Sequence, residues 1–317
     1  MTIVQTPPAG STGMGQSPRP VIPAQTDPRR PKYRSMEQTS RLEKITAYTL
    51  LIVGSLIFLI PFYFVINASF KTEAQVNAGD FIRPPAKASE VHVGNYPRSL
   101  APDKMDFWPA LSNTVVITTL CVIGQVVSCS LVGFGFARFR FRGRGLLFMI
   151  MLSTMMLPAQ VVMIPVFILF RTLGMIDTFW PLIIPMWLAS PFYVFMFRQF
   201  FAQIPEELLE AARIDGASNW RVYWQLMLPL STPVIAIVAI YTFLAAWNDF
   251  LGPLIYLNSP ENRTLALALN AFRGEYGISD VHLLMAASVV TMLPCIVLFF
   301  AAQRYFVESV AMTGLKS

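Results

Sequence analysis

Long apolar runs separated by polar segments are the most regular feature of the sequence. A hydrocarbon core about 30 Å thick takes about 20 helical residues to cross. Six runs are long enough, at residues 47–67, 111–137, 146–170, 179–197, 232–251 and 283–306. The alternating pattern of a membrane β-barrel strand is absent from them. The pattern therefore predicts an all-α integral membrane protein with six transmembrane helices over residues 44–317.

Residues 1–43 have a different composition from the rest of the chain. Pro, Gly, Ser, Thr and Gln dominate, and no apolar period is present. Such a segment cannot bury enough apolar surface to offset the entropy of ordering, so we expect a disordered cytoplasmic tail. It also lacks the apolar centre of a cleaved signal peptide. The first apolar run is therefore expected to act as its own insertion signal.

Composition supports a membrane location. Apolar residues make up 55% of the chain and charged residues 13%, about half the charged share of an average soluble domain. An ordinary soluble enzyme is disfavoured, because so few charges cannot cover a soluble surface of this size. In a soluble protein the net charge of +6 would suggest nucleic acid, but in a membrane protein it reflects basic cytoplasmic loops. We therefore expect contact with membrane lipid and none with nucleic acid.

The distribution of Lys and Arg predicts the orientation. Sixteen of the 24 lie in the N-terminal tail, the second and fourth loops and the C-terminal tail, and eight lie in the other loops. Residues 138–144 alone hold four arginines, and short loops of that density stay inside. Both termini are thus predicted to be cytoplasmic, in a bacterial cytoplasmic membrane. Residues 68–110 and 252–282 then face outward, as surface for a partner protein.

Catalytic and energy-coupling chemistry is missing from the sequence. It contains no phosphate-binding G-x-x-x-x-G-K-[ST], no H-E-x-x-H and no G-x-S-x-G. The three cysteines have no metal-ligand spacing, and His92 and His282 lie in outer loops. We expect no catalytic residue, metal or cofactor. Asp249 is the single acid in or near a predicted span, whereas ion-coupled carriers usually hold carboxylates deep in the membrane.

The cytoplasmic loop at residues 201–230 predicts two short helices joined by a turn. Pro205 suits a first helical position, and Glu206 and Glu207 suit a first turn. Gly216 can adopt the positive φ that ends a helix. Ser218 or Asn219 can then cap a second helix that runs toward Pro229. We call residues 205–229 the knob.

The knob resembles the signature loop of binding-protein-dependent ABC importer permeases, whose pattern is E-A-A-x3-G-x9-I-x-L-P. The matching residues are Glu210, Ala211, Ala212, Gly216, Leu228 and Pro229, while Leu226 stands where the pattern prefers Ile. Residues 154–160 (TMMLPAQ), 247–250 (WNDF), 302–305 (AQRY) and 313–316 (TGLK) look like the carbohydrate-uptake subfamily. From residue 47 onward the chain is similar to the shorter permease subunit of maltose-type systems.

The resemblance implies a type I ABC importer permease architecture in which the knob sits in a groove of a separate ATPase subunit. The implied coupling residues are Glu206, Glu207, Glu210, Ala211, Ala212, Asp215, Gly216, Leu228 and Pro229. Residues 314–316 either reach the ATPases as well or form a frayed terminus. The implied partners are a second homologous permease, two cytoplasmic ATPases and an extracytoplasmic sugar-binding protein. The chain itself would not be an enzyme.

A substrate path is suggested at two places. Prolines interrupt the third and fourth runs, and interrupted helices often line transport routes, although kinks for packing explain them equally well. Gln160, in the third run, can donate and accept hydrogen bonds to sugar hydroxyls. The second place is the cluster of Tyr241, Trp247, Asn248 and Asp249, which suits a sugar ring or, alternatively, an interfacial aromatic belt.

The predicted function is the permease subunit of an ATP-driven importer of a di- or oligosaccharide. One alternative is an ABC permease for another solute, such as a glycerol phosphoester or a polyamine. A self-contained ion-coupled carrier is disfavoured by the lack of deep carboxylates and by the knob. A membrane-embedded enzyme is disfavoured by the lack of a catalytic constellation.

Overall fold

The computed structural model describes residues 41–85, 87, 90–274, 277–278 and 280–314. The predicted tail up to residue 40 lies outside the described residues, as do Leu315 and Lys316 of the predicted C-terminal contact. The chain divides into two compact units, residues 1–57 and 58–317. Every contact below lies within the second unit.

Helices form nearly all of the described regular structure, which confirms the predicted all-α class. The first eight helices are α1 (Arg41–Ser69), α2 (Glu73–Asn77), α3 (Asn95–Ser99), α4 (Phe107–Arg138), α5 (Arg144–Ser153), α6 (Ala159–Thr172), α7 (Trp180–Ile183) and α8 (Pro191–Gln203). The others are α9 (Glu206–Ile214), α10 (Asn219–Val222), α11 (Leu228–Leu230), α12 (Thr232–Trp247), α13 (Leu251–Tyr256), α14 (Leu265–Leu269) and α15 (Val281–Gly314). Two-residue strands β1 (Arg273–Gly274) and β2 (Gly277–Ile278) pair antiparallel before α15.

Four stretches in the described part of the chain are long and apolar enough to cross a membrane. They are Arg41–Ser69, Phe107–Arg138, Trp180–Gln203 and Val281–Gln303. Two further helix pairs are long and apolar enough only when their two helices are taken together, and each pair is bent. The bend is 98° between Arg144–Met156 and Ala159–Thr172, and 76° between Asn219–Leu230 and Thr232–Trp247. The fold therefore offers four spans, or six if each bent pair counts as one.

Prolines account for the breaks in the third and fourth apolar runs. In the third, Leu157 and Pro158 are extended, because a residue before proline avoids the helical region and proline has no N–H to continue the ladder. In the fourth, a 3₁₀ turn over Ile184–Trp187 precedes Ala189, with φ of 58°, and then Pro191 starts α8. The predicted interruptions are present.

Helix α4 lies at the centre of the fold and packs against both α8 and α12. Glycines allow the close approach: a Cβ on Gly133 would lie 2.6 Å from the Cβ of Phe197, and one on Gly124 would overlap the ring of Trp187. The Trp187 Nε1 also donates to the Leu120 carbonyl at 3.1 Å. The broken fourth apolar run therefore packs in direct contact with α4.

Gln125 on α4 satisfies backbone groups that this break leaves open. Its side chain is fully buried. In the amide orientation that satisfies both ends, Nε2 donates to the Met186 carbonyl at 3.2 Å and Oε1 accepts from the Ser190 N–H at 3.1 Å. Buried backbone groups need such partners. One side chain therefore closes both sides of the break.

Several loops pack together at the end of the fold where α4 begins. We call this region the loop end. Asn95 Nδ2 donates to the carbonyls of Ser69 and Lys71 at 2.9 and 2.8 Å. The ammonium of Lys104 pairs with Asp280 at 2.7 Å, which ties the loop before α4 to the start of α15. These bonds give the loop end an ordered surface.

Asp177 fixes a second part of the loop end. Its carboxylate accepts the backbone N–H groups of Asn258 and Ser259, each at 2.9 Å, and the Ser259 hydroxyl. These donors hold the pKa of Asp177 far below its ordinary value, with the Ser259 hydroxyl the largest cause. Asp177 has φ of 62°, a conformation that Asp and Asn adopt more readily than most residues.

Replacement of Gln125 by Met tests the closure of the break. Gln125→Met leaves the Met186 carbonyl and the Ser190 N–H unpaired in an apolar interior, which costs about 1–3 kcal/mol of unfolding free energy. We expect a lower thermal midpoint for the purified protein in detergent. Gln199→Met, at an exposed position on α8, is the control and keeps the wild-type midpoint. Equal midpoints for the two variants would contradict this assignment.

The Asp177 contacts predict a pH dependence. Because the folded-state pKa is lowered, the stabilisation is fully present above about pH 4, the ordinary aspartate pKa, and is lost as the pH falls below it. Asp177→Asn keeps the backbone preference but removes the charge. We expect the difference in thermal midpoint between wild type and Asp177→Asn to shrink from about pH 6 to about pH 3. A difference in thermal midpoint that does not change with pH would contradict the stabilising role of the Asp177 charge. Asp103→Asn, at an exposed position, is the control.

Candidate functional site

The knob begins one residue later than predicted. Pro205, expected at the first helical position, is the extended cap residue with ψ of 139°, and α9 starts at Glu206. Ile204 before it is extended too, with ψ of 127°, because a residue that precedes proline is pushed out of the helical region. Glu206 and Glu207 still occupy the first turn, where negative charge is favourable.

The turn after α9 is a Schellman motif. Asp215 is the C-cap, and Gly216 follows it with φ of 79°. The Gly216 N–H donates to the Arg213 carbonyl at 3.0 Å, and the Ala217 N–H donates to the Ala212 carbonyl at 2.9 Å. These are the two bonds of the motif, and its left-handed position favours glycine. The predicted role of Gly216 as the residue after the C-cap is confirmed.

The second arm of the knob begins at a serine cap. The Ser218 Oγ accepts the Arg221 N–H at 3.3 Å, so Ser218, of the two predicted candidates, is the cap. After α10 the backbone widens into a π turn over Tyr223–Met227 and narrows again into α11, which contains Pro229. Pro229 has no N–H for the carbonyl four residues earlier, which accounts for the irregular turn before it.

One face of the knob is anchored in the apolar core. Leu209, Val222, Tyr223 and Met227 are buried in one cluster with side chains of α4 and α8, and Ala212 and Leu228 pack against it. Helical spacing puts these residues on the inner side of the two arms. The knob is therefore held as a packed part of the fold.

The opposite face carries most of the predicted coupling residues. Glu206, Glu207, Glu210, Ala211, Asp215, Gly216 and Pro229 are exposed. Between them lie exposed apolar side chains that the sequence did not single out, among them Ile214 at 86% exposure, Trp220 at 60%, Leu208 and Trp224. A mixed acidic and apolar surface on a rigid projection can bind a protein partner that offers a basic, apolar groove.

The predicted path residues do not form one cluster. Gln160 is exposed near the start of α6, and Tyr241 is half-exposed on α12. Trp247 is buried; its Nε1 donates to the Thr291 carbonyl at 3.2 Å and its ring stacks on Phe243. The Asn248 amide donates back to the Leu244 carbonyl at 2.8 Å. Trp247 therefore packs the core and presents no aromatic face to a path.

Asp249, another predicted path residue, reaches a cavity. It lines a space of about 260 Å³ between α4, α7 and the α12–α13 junction, together with Thr114, Cys121, Met186 and Thr264. One carboxylate oxygen accepts the Gly252 N–H at 3.1 Å. No group of three or more His, Cys, Asp or Glu side chains among the described residues is placed to hold a metal ion.

The family model and the similar proteins all point to one family of transport proteins. Residues 130–312 match the family model described as the inner membrane component of binding-protein-dependent transport systems. The arabinooligosaccharides transport system permease protein AraQ of Halalkalibacterium halodurans is 34% identical over 210 residues, 66% of this chain and 75% of that one. The sn-glycerol-3-phosphate transport system permease protein UgpE of Escherichia coli is 31% identical over 267 residues, 83% of this chain and 94% of that one.

A solved structure shares the fold. It is a bacterial ABC transporter involved in the import of the acidic polysaccharide alginate, and one of its chains superimposes with a TM-score of 0.74 at 25% identity. The superposition covers 86% of this chain and 99% of that one.

Gly216 offers a direct test of the knob turn. Gly216→Ala places a Cβ at φ of 79°, where left-handed backbone costs about 1–2 kcal/mol. We expect looser packing of the knob, seen as faster tryptic cleavage after Arg213 and Arg221. Gly216→Asn, which adopts this conformation more readily, falls between the two. Gly135→Ala, on α4 with open space around the new Cβ, is the control. Cleavage of Gly216→Ala at the wild-type rate would refute the assigned turn.

Proposed function

The chain belongs to the family of binding-protein-dependent transport system inner membrane components, and on that premise we propose that it is the transmembrane permease subunit of an ATP-driven importer of di- or oligosaccharides. The observation that carries the coupling part of the proposal is the outer face of the knob. Its acids and its exposed Ile214 and Trp220 lie on a rigid, core-anchored turn in a chain whose sequence has no nucleotide-binding motif.

The knob is the proposed contact with a separate cytoplasmic ATPase. Glu206, Glu207, Glu210 and Asp215 supply negative charge, and Ala211 lets a partner approach closely. Ala212, Gly216, Leu228 and Pro229 fix the shape of the projection from its inner side and its turns. An exposed isoleucine costs little on a surface that a partner covers, and this supports the proposal.

The proposed topology has six spans with both termini cytoplasmic, in the bacterial cytoplasmic membrane. Each bent helix pair then crosses as one span, and the arginine-rich residues 138–144 lie on the same side as the knob. The asymmetry of Lys and Arg supports this orientation. The loop end then faces outward and receives the extracytoplasmic sugar-binding protein.

The proposed assembly contains this chain, a second homologous permease subunit and two ATPase subunits. Helices α5 and α6 expose many large apolar side chains, including Leu146, Ile150, Val161 and Ile164. Such a surface suits lipid or the second permease. We place the second subunit there because the bend between α5 and α6 leaves freed backbone groups that a protein neighbour can satisfy.

A saccharide is the proposed substrate class. The similarity to AraQ and to the alginate transporter supports it, and the similarity to UgpE makes a glycerol phosphoester the second candidate. The carboxyl group of Asp249 lines the described cavity and can form hydrogen bonds with the hydroxyl groups of a sugar. Asp249 is the strongest of the proposed path residues and Gln160 the next, while Tyr241, Trp247 and Asn248 are supported less.

Charge reversal on the knob tests the coupling proposal. We expect the wild-type chain to co-purify with its ATPase. The double variant Glu210→Lys, Ile214→Asp is expected to lose both this association and sugar uptake, because the exposed face loses an acid and an apolar contact. Glu261→Lys, an equal charge reversal at an exposed position of the loop end, keeps the association. Undiminished co-purification of the knob variant would exclude the knob as the contact.

Uptake assays separate the remaining functions. With the whole transporter in proteoliposomes, oligosaccharide accumulation that needs ATP and the binding protein supports the proposal. Accumulation of glycerol 3-phosphate in its place selects the second candidate. Transport by this chain alone, abolished by an ionophore, would identify an ion-coupled carrier.

A further inference from the structure

Three side chains on one face of α4 contact the knob or the residues immediately before it. Ser130, Phe134 and Arg138 are spaced four residues apart, so they lie one above another along the last two turns of the helix. All three positions belong to the same unit as the knob. We call them the α4 stripe.

Arg138 holds the first arm of the knob at its origin. Its Nη2 donates to the Ile204 carbonyl at 2.6 Å and to the Phe201 carbonyl. These carbonyls lie at the end of α8, immediately before Pro205 and the start of α9. The last carbonyls of a helix lack internal partners and favour a positive charge. Arg138 thus ties the end of α4 to the junction from which the knob projects.

Ser130 and Phe134 hold the second arm. The hydroxyls of Ser130 and Tyr223 are 2.7 Å apart, and both side chains are fully buried. The Phe134 ring lies 5.3 Å from the ring of Tyr223 in the second arm and 6.1 Å from that of Phe201 near the end of α8, so it packs against both the second arm and the helix that leads into the first. The stripe therefore contacts each of the knob's two attachments to the core.

The other half of α4 reaches the cavity that holds Asp249. Thr114, Ile117 and Cys121 line that cavity. Thr114 Oγ1 also accepts the Leu265 N–H at 2.8 Å. Between these residues and the stripe α4 is one unbroken helix, unlike the broken runs around it, and at 1.5 Å per residue its whole length is about 48 Å. A displacement at one end is carried to the other as a rigid-body movement.

We propose that Ser130, Phe134 and Arg138 are positioning residues that transmit displacement of the knob to α4, and through α4 to the wall of the Asp249 cavity. This inference rests on the proposed function, because it supplies the step between ATP-driven movement of the knob and the change in the cavity. The stripe touches no substrate and no nucleotide. Its loss uncouples the two events while each half of the machinery stays intact.

The test measures sugar imported per ATP hydrolysed by the complete transporter, with its ATPases and binding protein, in proteoliposomes. Arg138→Met is expected to keep ATPase association and ATP hydrolysis and to lower the ratio about tenfold, the factor that loss of a charged hydrogen-bonded contact brings. Arg138→Lys can donate to the same carbonyls and recovers most of the ratio. Arg140→Met, which removes an equal charge from an exposed neighbouring position, keeps the wild-type ratio.

Milder variants cover the case in which Arg138→Met does not assemble. Tyr223→Phe and Ser130→Ala each remove one hydroxyl of the same pair. We expect each to lower the ratio, and the double variant to lower it no further than either alone, because the two groups act as one contact. Ser128→Ala is the control, since that hydroxyl bonds within its own helix, to the Gln125 carbonyl at 3.5 Å.

The outcomes are separable. A wild-type ratio in assembled Arg138→Met, or in both hydroxyl variants, overturns the role of the stripe and leaves the proposed function standing. A loss in Arg138→Met that Arg138→Lys does not recover overturns the assigned contact. A wild-type complex that binds no ATPase or imports no sugar overturns the proposed function, and this inference with it.

Discussion

Backbone N–H and C=O groups freed by a broken helix in an apolar interior must find partners within the protein, and in this fold α4 supplies many of them. Gln125 closes the break between α7 and α8 through Met186 and Ser190. Arg138 closes the end of α8 through Ile204. Thr114 accepts the first N–H of α14. The interrupted elements are thus positioned by polar bonds to one continuous helix.

This arrangement divides the molecule into a rigid part and adjustable parts. Helix α4 keeps its own hydrogen-bond ladder, so its side chains are free to bond to neighbours. The neighbours are bent at proline, where few backbone bonds resist a change of angle. The break between α7 and α8 is closed on α4 by the two hydrogen bonds of one side chain, Gln125, and exchanging those two bonds costs less than unwinding a straight span. Transport needs an element of this kind, with two arrangements of similar free energy.

The sequence predicted those features that depend on local chemistry. Helix class, the proline breaks, the Gly216 turn and a cap at Ser218 or Asn219 all follow from backbone preferences of a few adjacent residues. It did not predict the burial of Trp247, because a helix that is apolar on every side, such as α12, has no period to show which face is inward. Nor did it reveal that Arg138 bonds to α8, since the charge count explained all four arginines of residues 138–144 alike. The four-residue spacing of Ser130, Phe134 and Arg138 was visible, but its meaning requires the position of Tyr223.

The two faces of the knob differ in their role: the inner face packs against the core and the outer face is exposed. Leu209, Val222 and Tyr223 bury apolar surface against the core, which keeps the projection in one shape. Ile214 and Trp220 leave apolar surface in solvent, and this exposed surface does not stabilise the isolated chain. A partner that covers the outer face gains that surface and can then pull or push on the knob as a solid body. Because the inner face meets the α4 stripe, force applied outside has a direct mechanical route to the centre of the fold. In the proposed coupling, the packing behind the knob matters as much as the motif on its surface, because a flexible loop could bind a partner without moving α4.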